Sequence, residues 1–337
     1  MPNPLTSSYR FPAEWEKHEA VWLAWPYDTI TFGSLNQKDN KMDAERLARV
    51  EKEFIKIINA LKSSEQVNLI VRNKAEHTDL PSDVKMFEAD YADVWTRDYI
   101  PTFVKNGEGE LVATKWGYNA YGEKFAGLIK DNGVWSKINA ELNINTVEPK
   151  IVLEAGAIET NGSGVLVTTE QCLLKRNPHL GKQDYEKAFA EFLGISKVIW
   201  LKAGLVNDHT DGHIDDVAKF VAPNKILCGY EDDEADENFE ILKNNFEALQ
   251  KENLEVVKLP MPHMRYDDGK KAPVSYANFY IGNKVVLVPI YNDPNDEKAL
   301  KIIQSCFPDR KVIGIDCTDL IYGGGTIHCM TQQVPKA

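Results

Sequence analysis

Apolar and polar positions alternate in four stretches of the chain, at 98–116, 155–174, 216–230 and 276–291. Each run is broken by a short turn: Asn106-Gly107, Asn161-Gly162, Pro223-Asn224 and Gly282-Asn283. Asparagine and glycine tolerate the positive φ of tight hairpin turns, so each stretch predicts a β-hairpin. The turns recur at intervals of roughly 60 residues, the sign of an internal repeat. After each hairpin the apolar period lengthens to that of a helix. VWSKINAEL (134–142), DYEKAFAEFL (184–193), NFEILKNNFEALQ (238–250) and DEKALKIIQ (296–304) predict amphipathic helices. In the third, Phe239, Leu242, Phe246 and Leu249 share one face. A short strand then closes each unit: NTVEP, KVIWL, EVVKL and KVIGID.

The N-terminal part supplies a fifth copy. AVWLAWP (20–26) is its strand, 42–61 its helix with Leu47, Phe54, Ile58 and Leu61 on one face, and VNLIV its closing strand. This copy lacks half its hairpin, which the C-terminal TIHCMTQQ is placed to complete. The fold expected is α/β: five ββαβ units in a ring, closed by pairing the chain ends. Residues 1–337 then form one closed, pseudo-fivefold domain, as in propellers. The plainer alternative is a mixed α+β domain without rotational order.

In such a ring the junctions before the hairpins gather near one axis, where repeated units commonly build a site. The junctions carry Trp95-Thr96-Arg97-Asp98, Leu153-Glu154-Ala155-Gly156 and the run 208–216, DHTDGHIDD. The last leads through Gly323-Gly324-Gly325 into His328-Cys329. Taken singly, Asp98 is a turn cap, His213 a structural histidine and Cys329 a small buried hydrophobe. Glu154 lies in an apolar run, where an unpaired carboxylate is costly, so something cationic should meet it. Together, Asp98, Glu154, His213, Asp215 and Cys329 make a thiol, a proton shuttle and several carboxylates. Carboxylates raise a thiol's pKa, which suits the chemistry only if the substrate is itself a cation. A guanidinium is planar and pairs bidentately with carboxylates. The rival reading takes DHTDGHIDD as a metal site, since alternate residues of a strand share a face. No HExxH or CxxC supports it.

Composition adds little that conflicts. The net charge of −12 argues against nucleic acid or anionic membranes as partners and suits a cationic small molecule. Five cysteines of irregular spacing read as free thiols in a reducing compartment, with all but Cys329 structural. No apolar leader opens the sequence and no stretch reaches the roughly 20 apolar residues of a membrane span. A cytoplasmic location is therefore expected, and self-association into a homo-oligomer stays open.

WTRD, LEAG, TDGHIDD and GGGTIHCMTQQVP, with the opening FPAEWEKHEAVWLAWP and TTEQCLLKRNP, together resemble the agmatine deiminase family, grouped with bacterial-type peptidylarginine deiminases. The resemblance spans nearly the whole chain and implies the five-bladed ββαβ fold of the guanidine-modifying superfamily. It implies Cys329 as nucleophile, His213 as general acid and base, and Asp98 and Asp215 gripping the guanidinium. Glu154, Trp95, Asp93, Asp211 and Gly324 would line the substrate. No metal or organic cofactor is implied. The implied reaction takes agmatine to N-carbamoylputrescine, toward putrescine; free arginine or terminal peptidylarginine are the alternative substrates, with Arg97 or Arg265 facing a carboxylate. Ala155, Ala157, Glu159 and His209 depart from the family's commonest residues, which bears on the far end of the substrate.

Overall fold

The computed structural model describes residues 9–28, 31–32, 40–78 and 80–337, with the side chains of 40–43 excepted. The opening residues 1–8, part of the stretch read as lacking a leader, lie outside this set. The repeat predicted from periodicity is present as five separate sheets. In the first, β1 (His18–Ala24) lies between β2 (Gln66–Val71) and the last strand of the chain, and β3 (Lys85–Glu88) extends it beyond β2. The second holds β4 (Thr102–Lys105), β5 (Leu111–Thr114) and β6 (Thr146–Val147). The third holds β7 (Ile158–Thr160), β8 (Val165–Thr169) and β9 (Lys197–Leu201). The fourth holds β10 (Ala218–Ala222), β11 (Lys225–Tyr230) and β12 (Glu255–Pro260). The fifth holds β13 (Tyr280–Ile281), β14 (Val285–Ile290) and β15 (Lys311–Asp316). In each of the last four sheets an antiparallel hairpin is followed by a helix and a strand added in parallel.

The chain ends pair as the incomplete first unit required. Strand β16 (Gln332–Pro335) runs antiparallel to β1, with Trp22 opposite Gln332 and His18 opposite Pro335. It starts later than the apolar pattern suggested. Residues 326–331 form a hydrogen-bonded turn instead, with Thr331 N donating to His328 O at 3.1 Å and Thr331 Oγ1 to Ile327 O at 2.9 Å. That turn lifts Cys329 out of the sheet.

The predicted helices form with shifts of no more than two residues: α1 (Asn40–Leu61), and further on 134–142, 182–193, 239–250 and 296–306. Helix α1 buries Phe54, Ile58 and Leu61 fully against residues of the first and fifth sheets, among them Leu69, Leu287 and Ile315. Each such side chain contributes roughly 1.5–3 kcal/mol by leaving water. One helix was read as strand. Residues 170–174 continue the apolar run of β8, but Thr169 Oγ1 accepts a hydrogen bond from Cys172 N at 3.2 Å. This cap turns Glu170–Arg176 into a helix. Among the described residues no helix is long and apolar enough to cross a membrane.

Val334 on β16 is 7% exposed and packs in the cluster that holds Trp22 and Phe103. Val334→Asp places an unpaired carboxylate in the strand that joins the two ends. A loss on the order of 3 kcal/mol is expected in the denaturant midpoint, with loss of protection of β1 amides in hydrogen exchange.

Candidate active site

The five junctions meet, in a closed series of contacts. Arg97 N, before the second sheet, donates to Cys329 O at 3.1 Å. Gly156 N, before the third, donates to Asp98 Oδ1 at 3.1 Å. Nε2 of His213, before the fourth, lies 3.8 Å from Glu154 Oε2. Asn278, before the fifth, donates from Nδ2 to Asp216 Oδ1 at 3.0 Å and to Cys329 Sγ at 3.2 Å. Five side chains far apart in sequence thereby share one buried volume, and each of Asp98, Glu154, His213, Asp215 and Cys329 is at most 6% exposed.

Glycine makes the approach possible. A Cβ at Gly156 would lie 2.6 Å from His213 Nδ1 and about as close to Asp98 and Asp215, so only glycine allows the three to converge. A Cβ at Gly325 would lie 2.9 Å from the Trp95 ring and 3.1 Å from Cys329 Sγ. Trp95 is thus pressed against the approach to the sulfur. Gly324, at φ +101°, lies against the imidazole of His209.

The charges are arranged in opposed layers. Burial pushes the Asp98 carboxyl up to about 6; His213 offsets part of this, while Asp215 and Glu154 add to it. Tyr121 Oη donates to Asp98 Oδ2 at 2.8 Å from a left-handed turn in which Ala120, Tyr121 and Glu123 all have φ of 55–65°. Such backbone strain costs roughly 1–3 kcal/mol per residue and here fixes one side chain on one carboxylate. Asp215 behaves differently. Burial raises its pKa, but His328 and the charges of His213 and Lys219 hold it below the ordinary value. His328 Nδ1 stands 2.8 Å from Asp215 Oδ2 and its Nε2 2.8 Å from Glu14 Oε2. The imidazole thus lies between two carboxylates, one facing each ring nitrogen. Glu14 in turn faces Arg97 at 3.3 Å and Lys219 at 3.1 Å.

His213 titrates well above the ordinary histidine value. Burial opposes its charge, but Asp98, Cys172 and Glu154 outweigh burial. Neither ring nitrogen has a hydrogen-bond partner within the protein, and neither does Asp215 Oδ1. Cys329 is raised well above the ordinary thiol value, first by burial and then by Asp215, Asp216 and Asp98. The result is a protonated imidazole, a protonated thiol and acidic groups with unused lone pairs around one space.

Glu154 was expected to be met by something cationic, and Arg176 Nε reaches both its oxygens, at 2.7 and 2.9 Å. Other expected placements differ. Asp211 was expected to line the substrate. Its carboxylate is instead held by Lys124 at 2.6 Å, Lys175 at 3.1 Å and Arg176 at 2.6 Å. Asp93 is pushed up to about 8 by burial and is already occupied, accepting from Val94 N at 2.7 Å and from Thr31 Oγ1, on a separate segment, at 3.3 Å. Cys172, taken as purely structural, lies beside His213 and Glu154, their ligand atoms all within 4.8 Å of one another. A dication placed there would face the Arg176 guanidinium on the same carboxylate. The DHTDGHIDD run does not converge as metal ligands. Asp208 accepts from the backbone of Gly212 and His213, and His209 packs on Phe125, apart from His213.

Two partners went unseen in the sequence. Arg176 follows an apolar run and was quoted only as part of TTEQCLLKRNP. Asn278 occupies the junction before the fourth hairpin, the position that repeat symmetry makes equivalent to the other site-bearing junctions.

A buried cysteine, a histidine and opposed acids, delivered from five ββα-type units, place the chain with the deiminases. It belongs to the Porphyromonas-type peptidyl-arginine deiminase family, whose model matches residues 10–335. A protein of Marinomonas sp., provisionally named an agmatine deiminase, is 35% identical over 99% of this chain and 96% of its own length. The solved agmatine deiminase of Enterococcus faecalis superposes with a TM-score of 0.87 at 32% identity, covering 98% of this chain and 96% of the other. That of C. jejuni, in a cysteine-to-serine variant with substrate bound, gives 0.89 at 30% identity, covering 98% and 97%.

Arg176 is buried between two carboxylates, whereas the Lys175 side chain is 59% exposed on the same Asp211. Arg176→Ala leaves Glu154 without its bidentate partner and should cost about 3–5 kcal/mol in chemical denaturation. Lys175→Ala should cost less than about 1 kcal/mol. Equal losses would remove Arg176 as the counter-charge of the site.

Proposed function

We propose that this chain is a deiminase that hydrolyses the guanidinium group of agmatine to a ureido group and ammonia, giving N-carbamoylputrescine. The observation that carries the reading is the position of Cys329 Sγ, 3.7 Å from Asp215 Oδ2, within a space whose other walls are Asp98 and His213. Asp98 and Asp215 would grip the planar cation and turn its carbon toward the sulfur, with Trp95 covering it. The five sheets, each delivering one junction and joined end to end by β1 and β16, fit a five-bladed arrangement around that axis. The acidic composition accords with a cytoplasmic enzyme acting on a small cation.

In the free protein the thiol is protonated, for the reasons given above. A bound guanidinium neutralises the two carboxylates, and the thiol proton leaves to solvent. The thiolate attacks the guanidinium carbon and forms a C–S bond. The tetrahedral adduct breaks one C–N bond, and protonated His213 gives its proton to the departing ammonia. A covalent thiouronium remains. Neutral His213 then takes a proton from water as it adds to the same carbon. The C–S bond breaks as the adduct's hydroxyl becomes the ureido carbonyl, the proton it loses is taken up by the departing thiolate, and the neutral ureido product is released.

Agmatine is favoured over free arginine by the state of the two arginines once considered for a carboxylate. Arg97 is engaged by Glu14 and Gln333, and Arg265 by Glu237 and Gly269 O. The relatives bearing the agmatine name support the same choice.

Ammonia release from agmatine, free arginine and a blocked arginine peptide, with and without EDTA, tests the assignment. Release from agmatine that EDTA leaves unchanged, and that Cys329→Ala abolishes while binding persists, is expected. Release abolished by EDTA would return the site to a metal-dependent hydrolase, and substantial turnover by the alanine variant would sink the covalent scheme.

The pH dependence has a defined sign. Asp98 must be ionised to hold a cation, and it is protonated in the free protein below about 6. The value of kcat/KM should therefore rise with pH through that region. The matching limb of kcat should lie at lower pH, because a bound guanidinium favours the carboxylate. A flat kcat/KM profile between pH 5 and 7 would take Asp98 out of the grip.

A further inference from the structure

The groups that crowd the Cys329 sulfur with charge are Asp215, Asp216 and Asp98, all of which oppose a thiolate. Besides a hydrogen bond from the backbone of Thr326, one side chain favours it. Asn278 is fully buried and donates from Nδ2 to Sγ at 3.2 Å. We propose that Asn278 is a catalytic residue: its side-chain N–H is the donor that stabilises the Cys329 thiolate, both when it attacks and when it is expelled.

The orientation of the amide is fixed by its other partners. Oδ1 accepts from Thr326 Oγ1 at 2.8 Å and from His328 N at 3.0 Å. Both are donors toward this oxygen, so the NH2 group must face the other way. Its two hydrogens then have two acceptors, Asp216 Oδ1 at 3.0 Å and the sulfur. The Asn278 carbonyl also receives His328 N, at 3.1 Å. The same residue thus anchors the turn that carries Cys329 and points a donor at its reactive atom.

An amide suits this position better than a cation does. A lysine or arginine beside the sulfur would favour the thiolate more strongly, but it would repel a guanidinium bound to Asp98 and Asp215. A neutral donor assists the anion while leaving the substrate's attraction intact. Asp216 holds the amide through Oδ1, which is turned to Asn278.

This inference rests on Cys329 being the nucleophile, and its test separates the two. The rate of iodoacetamide alkylation at Cys329, followed by mass spectrometry of its peptide across pH, reports the thiolate directly. It is to be measured in the wild-type protein, Asn278→Ala, Asn278→Asp and Thr326→Val, each confirmed folded by its thermal transition. Asn278→Asp keeps an acceptor for Thr326 and His328, and so maintains the turn if the alanine variant does not fold. Both Asn278 variants should move the alkylation profile to higher pH and lower kcat/KM by roughly 10–100-fold, with KM little changed. Thr326→Val loosens the anchor but keeps the donor, and its profile should stay with the wild type. An unchanged profile in either folded Asn278 variant, or a Thr326→Val shift as large as theirs, overturns the proposal and leaves Asn278 as a turn anchor. If alkylation of wild-type Cys329 does not abolish ammonia release, the nucleophile itself has been misassigned, and the role of Asn278 falls with it.

Discussion

Several carboxylates are buried around one sulfur, and everything near them is arranged to make that tolerable. An isolated ionised carboxylate pays several kcal/mol to leave water unless it is paired. Asp215 is paired from below by His328, which Glu14 shares, and Glu14 is itself met by Arg97 and Lys219. Glu154 is paired from the side by Arg176. Asp98 receives only neutral donors, Tyr121 Oη and Gly156 N, and it alone of these three is pushed upward, to about 6. Apart from the His213 imidazole, which lines the same space, these counter-charges meet the acids from behind and beside. The face toward Cys329 keeps its negative potential, and that face is where a cation would bind.

The glycines follow from the same constraint. Atoms of His213, Asp98 and Asp215 stand within about 3 Å of where a Cβ on Gly156 would lie and leave no room for one, and Gly323 to Gly325 bring backbone against Trp95, His209 and Cys329. The left-handed residues 120–123 belong with them, since they hold Tyr121 on Asp98. A protein stable on the scale of 5–15 kcal/mol can carry this strain only if the surrounding sheets are well packed. Helix α1 and the first and fifth sheets supply one such core, and Trp22, Phe87, Phe103 and Trp135 the heart of another.

The units were legible because hydrophobic period is a local signal that the hairpin–helix–strand order repeats. Their convergence was legible because repetition places equivalent junctions together, and Asp98, Glu154, His213, Asp215 and Cys329 were found that way. What stayed hidden was pairing. Arg176 follows an apolar run that read as strand, and nothing local says that its guanidinium turns inward to Glu154. Glu14, at 5% exposure, reads as a surface residue before a strand, yet it closes a network reaching Lys219 and His328. Asp211 shows the converse error. Its place two residues before His213 suggested the substrate, but three cations from 124, 175 and 176 reach it first. The strand expected at 326–331 failed for a related reason, since Asn278, some fifty residues away, supplies the hydrogen bonds that bend it into a turn.

Repetition also explains how a thiol can work in so acidic a place. Each junction contributes one kind of group: acid from the second, acid and close backbone approach from the third, imidazole and acid from the fourth, amide from the fifth, thiol from the segment that closes the first. No single unit holds enough for chemistry, and no unit alone bears the full cost of burying like charges. Burial and the neighbouring acids Asp215, Asp216 and Asp98 hold the thiol well above its ordinary pKa. Under the proposed function, binding of a guanidinium would remove the repulsion that suppresses the thiolate. The same acids would then recognise the substrate and, through it, release the nucleophile, so that recognition and activation would be one electrostatic event.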